Sequence, residues 1–273
     1  MIRVRGTGSV AFAFSVLFLL ILGAAALAAP WISPYNPTTQ DLSRRFSPPG
    51  GGHLLGSDDF GRDILSRIIH GSRSALLVGI VSVLIAVTIG MSAGLCAGLA
   101  PRIVDDAVML VMDSLLSFPT VLLAITVVSF LGYGLTQVMV AIGVIYSPTF
   151  ARIVRAETLV IRTEEYVEAS RALGSPTLLI VFRHVIPNLL GKVIVQASVT
   201  FALAVVVEAS LSYLGLGMQP PAASWGLMLK DARNYLLQAP WMALYPGLAL
   251  AFTVLCFNVI GDSLSERLNP KVR

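Results

Sequence analysis

The sequence predicts an all-α membrane protein with six transmembrane helices. Of its 273 residues, 56% are apolar and only 12% are charged, against about 25% charged residues in an ordinary soluble domain. Apolar stretches long enough to cross a bilayer, roughly 20 residues, recur along the chain. A chain this poor in charge does not cover a water-facing surface, which indicates a protein that crosses the membrane several times.

The predicted spans divide the chain into two parts. Residues 1–74 hold the first span and a long outer segment, and residues 75–273 form a core domain with five spans. An even number of spans places both termini on the same side of the membrane. The six predicted spans are residues 10–29, 75–100, 107–131, 135–151, 193–213 and 241–260.

The first span shares features with a secretory signal peptide. Arg3 and Arg5 precede the apolar run, and Ala26-Leu27-Ala28 places small residues on either side of a leucine, as at a cleavage site. However, the run of 20 residues is longer than a usual signal core, and Pro30 directly after the small residues disfavours cleavage. We therefore expect an uncleaved first span.

Lys and Arg residues predict the orientation. With the N-terminus inside, cytoplasmic segments hold twelve of the 19 Lys and Arg residues, and outer segments hold seven. Because short cytoplasmic loops carry the excess of positive charge, both termini and residues 152–190 are expected in the cytoplasm. The expected location is a bacterial cytoplasmic (inner) membrane, with lipid as an obligatory partner. The net charge of +4 is scattered among short loops, so nucleic acid is not an expected partner.

The second half of the outer segment predicts an amphipathic helix. Asp58 and Asp59 precede an apolar stripe of Phe60, Ile64, Leu65, Ile68 and Ile69. Four polar residues fill the other face: Arg62, Asp63, Ser66 and Arg67. The pattern favours an anchoring helix at the outer interface, and direct contact with substrate is the alternative.

Small residues in the second span predict a packing seam. Gly90, Gly94 and Gly98 recur every four residues, which places them on one face of a helix. Small faces let membrane helices approach closely.

The polar segment 152–190 predicts two short helices joined by a tight turn. Thr163 can cap a helix that begins with acidic residues and runs to about Leu173, and Gly174 then follows its C-terminus. Ser175 and Pro176 can open a second helix over residues 177–185, which Pro187 would end. These cap signals favour a folded unit over an unstructured loop.

The residues of this segment resemble those of a known family. Six of them share the spacing of the EAA loop of ATP-binding-cassette (ABC) importer permeases: Glu168, Ala169, Ser170, Gly174, Ile186 and Pro187. His184 departs from the broad motif, which has an aliphatic residue there. Residues 183–188, 53–67 and 208–217 instead resemble the dipeptide, oligopeptide and nickel branch, and specifically its second, C-type permease subunit.

The resemblance implies a type I ABC importer permease fold and a set of partners. These are a homologous second permease subunit, two ATP-binding subunits and an extracytoplasmic solute-binding protein. It also implies that the ATPase docks on one group of residues: Glu168, Ala169, Ser170, Arg171, Ala172, Leu173, Gly174, Ser175, Pro176, Thr177 and Pro187. The resemblance implies import of peptides, with nickel or glutathione-like cargo as alternatives.

The chain itself is expected to be neither an enzyme nor a nucleotide-binding protein. It has no G-x-x-x-x-G-K-[ST] run, so ATP and Mg would be bound by the partner ATPases. No catalytic, cofactor or metal site is expected in it.

Two acids, Asp113 and Glu208, lie in predicted spans, where a functional role is the default hypothesis. They could contact substrate, but a structural role is favoured because each lies near an end of its span. For the function of the whole chain, the alternative to an ABC importer permease is a protein of another class, an ion-gradient-driven secondary transporter.

Overall fold

A computed structural model describes the backbone of residues 7–268 and the side chains of residues 10–267. The termini, including Arg3, Arg5, Lys271 and Arg273, lie outside the described residues. The described chain forms these helices in order: α1 (Thr7–Ile32), α2 (Ile64–Leu99), α3 (Arg102–Leu116), α4 (Thr120–Leu131), α5 (Leu135–Ile161), α6 (Glu165–Ala172), α7 (Thr177–Ile180), α8 (Ile186–Tyr213), α9 (Trp225–Ala232) and α10 (Trp241–Leu268).

Within residues 7–268, five continuous helical stretches are long and apolar enough to cross a membrane. They contain the first, fourth, fifth and sixth predicted spans and all but the last residue of the second, and each is longer than its predicted span. The 36 residues of α2 make a helix about 54 Å long, well over the roughly 30 Å of a hydrocarbon core. Hydropathy identifies only the apolar part of a helix. Backbone hydrogen bonding continues the helix through the polar residues beyond that part, so the observed helices are longer than the predicted spans.

The third predicted span, residues 107–131, is not one helix. It consists of α3 and α4, which meet at 97°. Pro119 precedes α4 directly and has no N–H to continue the hydrogen-bond ladder of α3, and a residue before proline avoids helical geometry. The third span is therefore a bent pair of helices, which brings the candidate spans among the described residues to six.

The glycine seam of α2 is confirmed, and its partner is α5. A Cβ atom added to Gly94 would lie 2.6 Å from the carbonyl O of Ala151, and one added to Gly98 would lie 2.7 Å from Thr158 Cβ. Gly90 faces Ser147 in the same way, at 2.4 Å from its carbonyl O. The two helices are in close contact from Gly90 to Gly98, over about two helical turns, and a side chain at any of these positions would prevent this approach.

The prediction of an amphipathic interfacial helix is wrong about the residue at which the helix begins and about the exposure of its polar face. The helix begins at Ile64, and Asp63 caps it by accepting a hydrogen bond from Ser66 N at 2.8 Å. Asp58 and Asp59 lie in the preceding loop. The expected polar face is also not solvated, because all four of its residues are buried: Arg62, Asp63, Ser66 and Arg67.

Tertiary packing buries this face from two sides. The segment after α1 folds over it, with Tyr35 N donating to Ser66 Oγ at 3.1 Å. The indole of Trp225, on α9, donates to the carbonyl O of Ile68 at 3.1 Å. The start of α2 is thus packed inside the end of the helix bundle.

Candidate functional site: an exposed turn that joins two long helices

The polar segment forms a tight helical turn between α5 and α8. Helix α6 ends at Ala172, and Gly174 follows with a left-handed φ of +83°. Gly174 N donates to Arg171 O at 2.9 Å, and Ser175 N donates to Ser170 O at 3.1 Å. This pair of bonds is a Schellman motif, which satisfies the last carbonyls of α6 and confirms the predicted role of Gly174. We call residues 162–187 the coupling turn.

Two details of the predicted turn are wrong. Thr163 does not cap α6, since its hydroxyl donates back to Val160 O and Glu164 occupies the N-cap position. Pro187 does not end a helix. It lies in the first turn of α8, directly after the π-helical residues Val181–Val185. The wider π turn makes an i to i−5 bond from Ile186 N to Val181 O, so the helix passes through a residue that lacks an N–H.

The second helix of the turn is consequently the beginning of a transmembrane helix. Pro176 takes the N-cap position of α7, and helical structure then continues from Thr177 to Tyr213. Residues 177–185 were expected to form a separate short helix. The turn and α8 are therefore joined without a break in helical structure.

One face of the coupling turn is anchored in the bundle. Val167, Ile180 and Val185 are buried, and they pack in a cluster with Phe150 and Val154 of α5. Tyr166 packs against His184 with its ring tilted by 53°, and the ring centroids are 5.4 Å apart. These contacts pack the turn against the bundle, so it is not a free loop.

The opposite face of the coupling turn is apolar and exposed. The exposed fractions are 87% for Leu173, 71% for Leu178 and 67% for Phe182. The charged residues Glu168 and Arg171 are also exposed. Exposed large apolar side chains rimmed by charges are typical of a surface that binds another protein.

Polar contacts join the turn and α5 to neighbouring helices. Arg162 donates to the carbonyl O of Gly98, at the end of α2, at 3.0 Å. Arg155 pairs with Asp105 on α3, and Lys192 of α8 pairs with Glu157. The end of α5 is therefore tied to three other helices close to the turn.

The two acids expected in the spans have different partners. Asp113 lies on α3, half exposed, and its carboxylate accepts from Arg152 at 2.8 Å. Glu208 lies on α8, is buried, and accepts from Ser212 Oγ at 2.7 Å. Each acid thus has a partner within the chain, which supports the structural interpretation of both.

A buried charge cluster lies at the other end of the molecule. Arg62 Nε donates to Asp58 at 2.6 Å, and its Nη2 lies 3.4 Å from Asp231 on α9. Arg67 Nε lies 3.6 Å from Asp58. Burial raises the pKa of the Asp59 and Asp231 carboxyls above the ordinary value. Sequence analysis missed the cluster because Asp231 is distant in sequence from the other members.

The fold and the coupling turn together define a multi-pass membrane permease. The family described as "Binding-protein-dependent transport system inner membrane component" matches residues 86–273. The description "N-terminal TM domain of oligopeptide transport permease C" matches residues 10–49. The chain belongs to this family of inner membrane transport components, and the resemblance drawn from its motifs is confirmed.

Characterised relatives cover almost the whole chain. The di/tripeptide transport system permease protein DppC of Pseudomonas aeruginosa is 41% identical over 94% of this chain and 87% of its own length. The glutathione transport system permease protein GsiD of Pectobacterium atrosepticum is 42% identical over 94% of this chain and 86% of its own length.

A solved structure shares the fold. An inward-facing form of the MetNI methionine ABC transporter matches with a TM-score of 0.62 and 22% identity, over 74% of this chain and 96% of that one. This likeness confirms the predicted fold of a type I ABC importer permease.

Proposed function

We propose that this chain is the permease subunit of an ATP-driven importer for peptides, and that the coupling turn is the surface on which an ATPase docks. The observation that carries the proposal is the two-sided character of the turn. Val167 and Val185 anchor it in the bundle, while Leu173, Leu178 and Phe182 remain exposed. A rigid body with an exposed apolar face can receive a push from a partner and pass it on.

The transmission path consists of continuous structure. Docking would move α6 and α7, and α7 continues without a break into α8. Arg162 and its bond to Gly98 link the same movement to α2. The turn would therefore bear on the helices that line a pathway.

Peptide cargo is proposed from the named relatives. Relatives that are 41% and 42% identical to this chain are named as permeases for di- or tripeptides and for glutathione, respectively. Both are small peptides, so a peptide is the common chemistry.

The remaining partners follow from the family. A homologous permease subunit would complete the pathway, a solute-binding protein would deliver cargo from outside, and two ATPase subunits would hold ATP and Mg. This arrangement requires the coupling turn in the cytoplasm, as the positive-inside distribution also predicts.

Replacement of Leu178 by Glu tests the docking surface. L178E should abolish co-purification of the ATPase with the permease pair and stop uptake, because a charge would be buried in an apolar contact. Leu42→Glu is the matched control, since Leu42 is 69% exposed and Leu178 is 71% exposed. Equal ATPase binding by the two variants would contradict the proposal. Uptake by the purified chain alone, driven by an ion gradient, would instead indicate a secondary transporter.

A further inference from the structure

A cleft opens at the end of α2 that is remote from the coupling turn. Its volume is about 390 Å³, and it is lined by Arg44, Ser47, Pro48, Pro49, Gly50, Gly51 and His53. The coupling turn contacts Gly98 at the C-terminal end of α2, whereas the cleft adjoins the residues before its N-terminal end. The two sites are therefore separated by a helix about 54 Å long.

One wall of the cleft carries a guanidinium group. Arg44 Nη1 lies over the glycine turn, 3.5 Å from the position that a Cβ of Gly52 would take. Its Nε lies 3.4 Å from Asp41 Oδ2, and both side chains are about half exposed. The Asp41 contact engages Nε, so the terminal nitrogens remain able to donate to a ligand.

Gly50 and Gly51, the first two residues of a turn of three glycines, line the cleft. Gly50, Gly51 and Gly52 have φ values of +125°, +42° and +131°. Within the part of the chain that the structure describes, neither Gly51 N–H nor Gly52 N–H donates a hydrogen bond. Successive free N–H groups in such a turn make a concavity that favours anions.

His53 contributes a fixed imidazole. Its Nδ1 lies 2.9 Å from Asp63 Oδ1, and the ring packs against Tyr35 with centroids 4.8 Å apart. The His53 side chain is only 7% exposed, and its Nε2 has no hydrogen-bond partner among the described residues. A buried polar atom without a partner is unusual in a folded protein and calls for a ligand or a water.

We propose that this cleft binds a small oxyanion, namely a carboxylate or phosphate group. Arg44 would provide the charge-assisted bonds, and the Gly51 N–H group would donate to the same oxygens. His53 Nε2 donates to an oxyanion when the imidazole is protonated, and accepts from a protonated phosphate oxygen when it is neutral. This site lies beyond the proposed docking function and does not depend on it.

The test is calorimetric titration of the assembled transporter with sodium phosphate and with sodium acetate, in sodium chloride of equal ionic strength. Arg44→Gln should weaken binding about tenfold, because it removes a charged donor. Arg45→Gln is the matched control. It makes the same change in charge one residue away, where the guanidinium lies over the ring of Phe46 and does not line the cleft.

A second variant isolates the imidazole. In His53→Asn the amide can keep the bond to Asp63, since its nitrogen occupies the place of Nδ1, but nothing replaces Nε2. We expect H53N to remain folded and to bind phosphate several-fold more weakly than the wild type does.

Competition experiments distinguish the sources of the anion. Displacement of phosphate by alanyl-alanine, but not by its C-terminal amide, would assign the site to a peptide carboxylate. Weaker phosphate binding in nanodiscs of phosphatidylglycerol than of phosphatidylcholine would assign it to a lipid headgroup. Saturable binding without either competition would assign it to free phosphate or acetate. Absence of saturable binding, or equal affinities of R44Q and R45Q, would overturn the proposal.

Discussion

The guanidinium of Arg162 donates to the carbonyl O of Gly98 at 3.0 Å, across 64 residues of sequence. Gly98 is the second-last residue of α2, so its carbonyl is one of those that a helix leaves without an intrahelical partner. A cation at this position also complements the helix dipole. The first residue of the coupling turn is therefore the cap of the helix that carries the glycine seam.

Loss of this cap should uncouple the turn from α2 without preventing docking. We expect Arg162→Gln to destabilise the chain by about 1 kcal/mol and to reduce peptide uptake more than it reduces ATPase co-purification. Arg102→Gln is the control, because the Arg102 side chain is 92% exposed and makes only a surface pair. An R162Q variant with unchanged uptake would show that the bond has no part in transmission.

Gly174 should be replaceable only by residues that tolerate the left-handed conformation. A Cβ there would meet no other atom within 4 Å, so the cost of Gly174→Val is conformational. For Gly174→Val we expect about 1–2 kcal/mol of strain and loss of ATPase co-purification. Gly174→Asn should keep both the stability of the turn and the co-purification of the ATPase. Gly132→Val is the control, since Gly132 has a φ of +93° and equally open space. Loss of docking in both valine variants would point to general misfolding.

The α2–α5 seam should not accept a side chain. In Gly94→Val the new Cβ would lie 2.6 Å from a backbone oxygen, which cannot move aside as a flexible side chain can. We expect destabilisation of about 3 kcal/mol or more, measured as thermal unfolding of the chain in detergent. Gly23→Val should be tolerated, because a Cβ at Gly23 meets nothing within 4 Å.

The buried acid should act as a hydrogen-bond acceptor and not as a charge. Glu208→Gln keeps an oxygen for Ser212, so we expect less than about 1 kcal/mol of destabilisation, whereas Glu208→Ala should cost about 1–3 kcal/mol. Asp113→Asn breaks an exposed pair and should cost about 0–1 kcal/mol. If E208Q folded normally but lost uptake, Glu208 would belong to the pathway.

Single cysteines should report the orientation of the chain. In a background with Cys96 and Cys256 replaced by Ser, a cysteine at Leu42 or Leu237 should react with an impermeant thiol reagent in intact cells. A cysteine at Glu165 should react only after the membrane is opened. All three positions are exposed, so access depends on the side of the membrane. Labelling of position 165 in intact cells would reverse the orientation and exclude a cytoplasmic ATPase dock.

The sequence by itself determined the features that depend on local chemistry. Apolar stretches located the spans because lipid selects for them residue by residue. Gly174 was identifiable because a helix that ends in a Schellman motif needs a residue free to adopt positive φ. The seam of Gly90, Gly94 and Gly98 was identifiable because helical geometry alone places these residues on one face.

Only the tertiary structure decided features that depend on what lies opposite a residue. Pro119 breaks its span whereas Pro187 does not, because a π turn precedes Pro187 and relieves its missing N–H. The sequence pattern predicts that Arg62 and Arg67 lie on a solvated face. In the structure both arginines are buried, and Asp231 of α9 lies beside Arg62. A side chain's partner on a distant helix leaves no local pattern, so the charge cluster and the remote cleft emerged only once the helices were packed together.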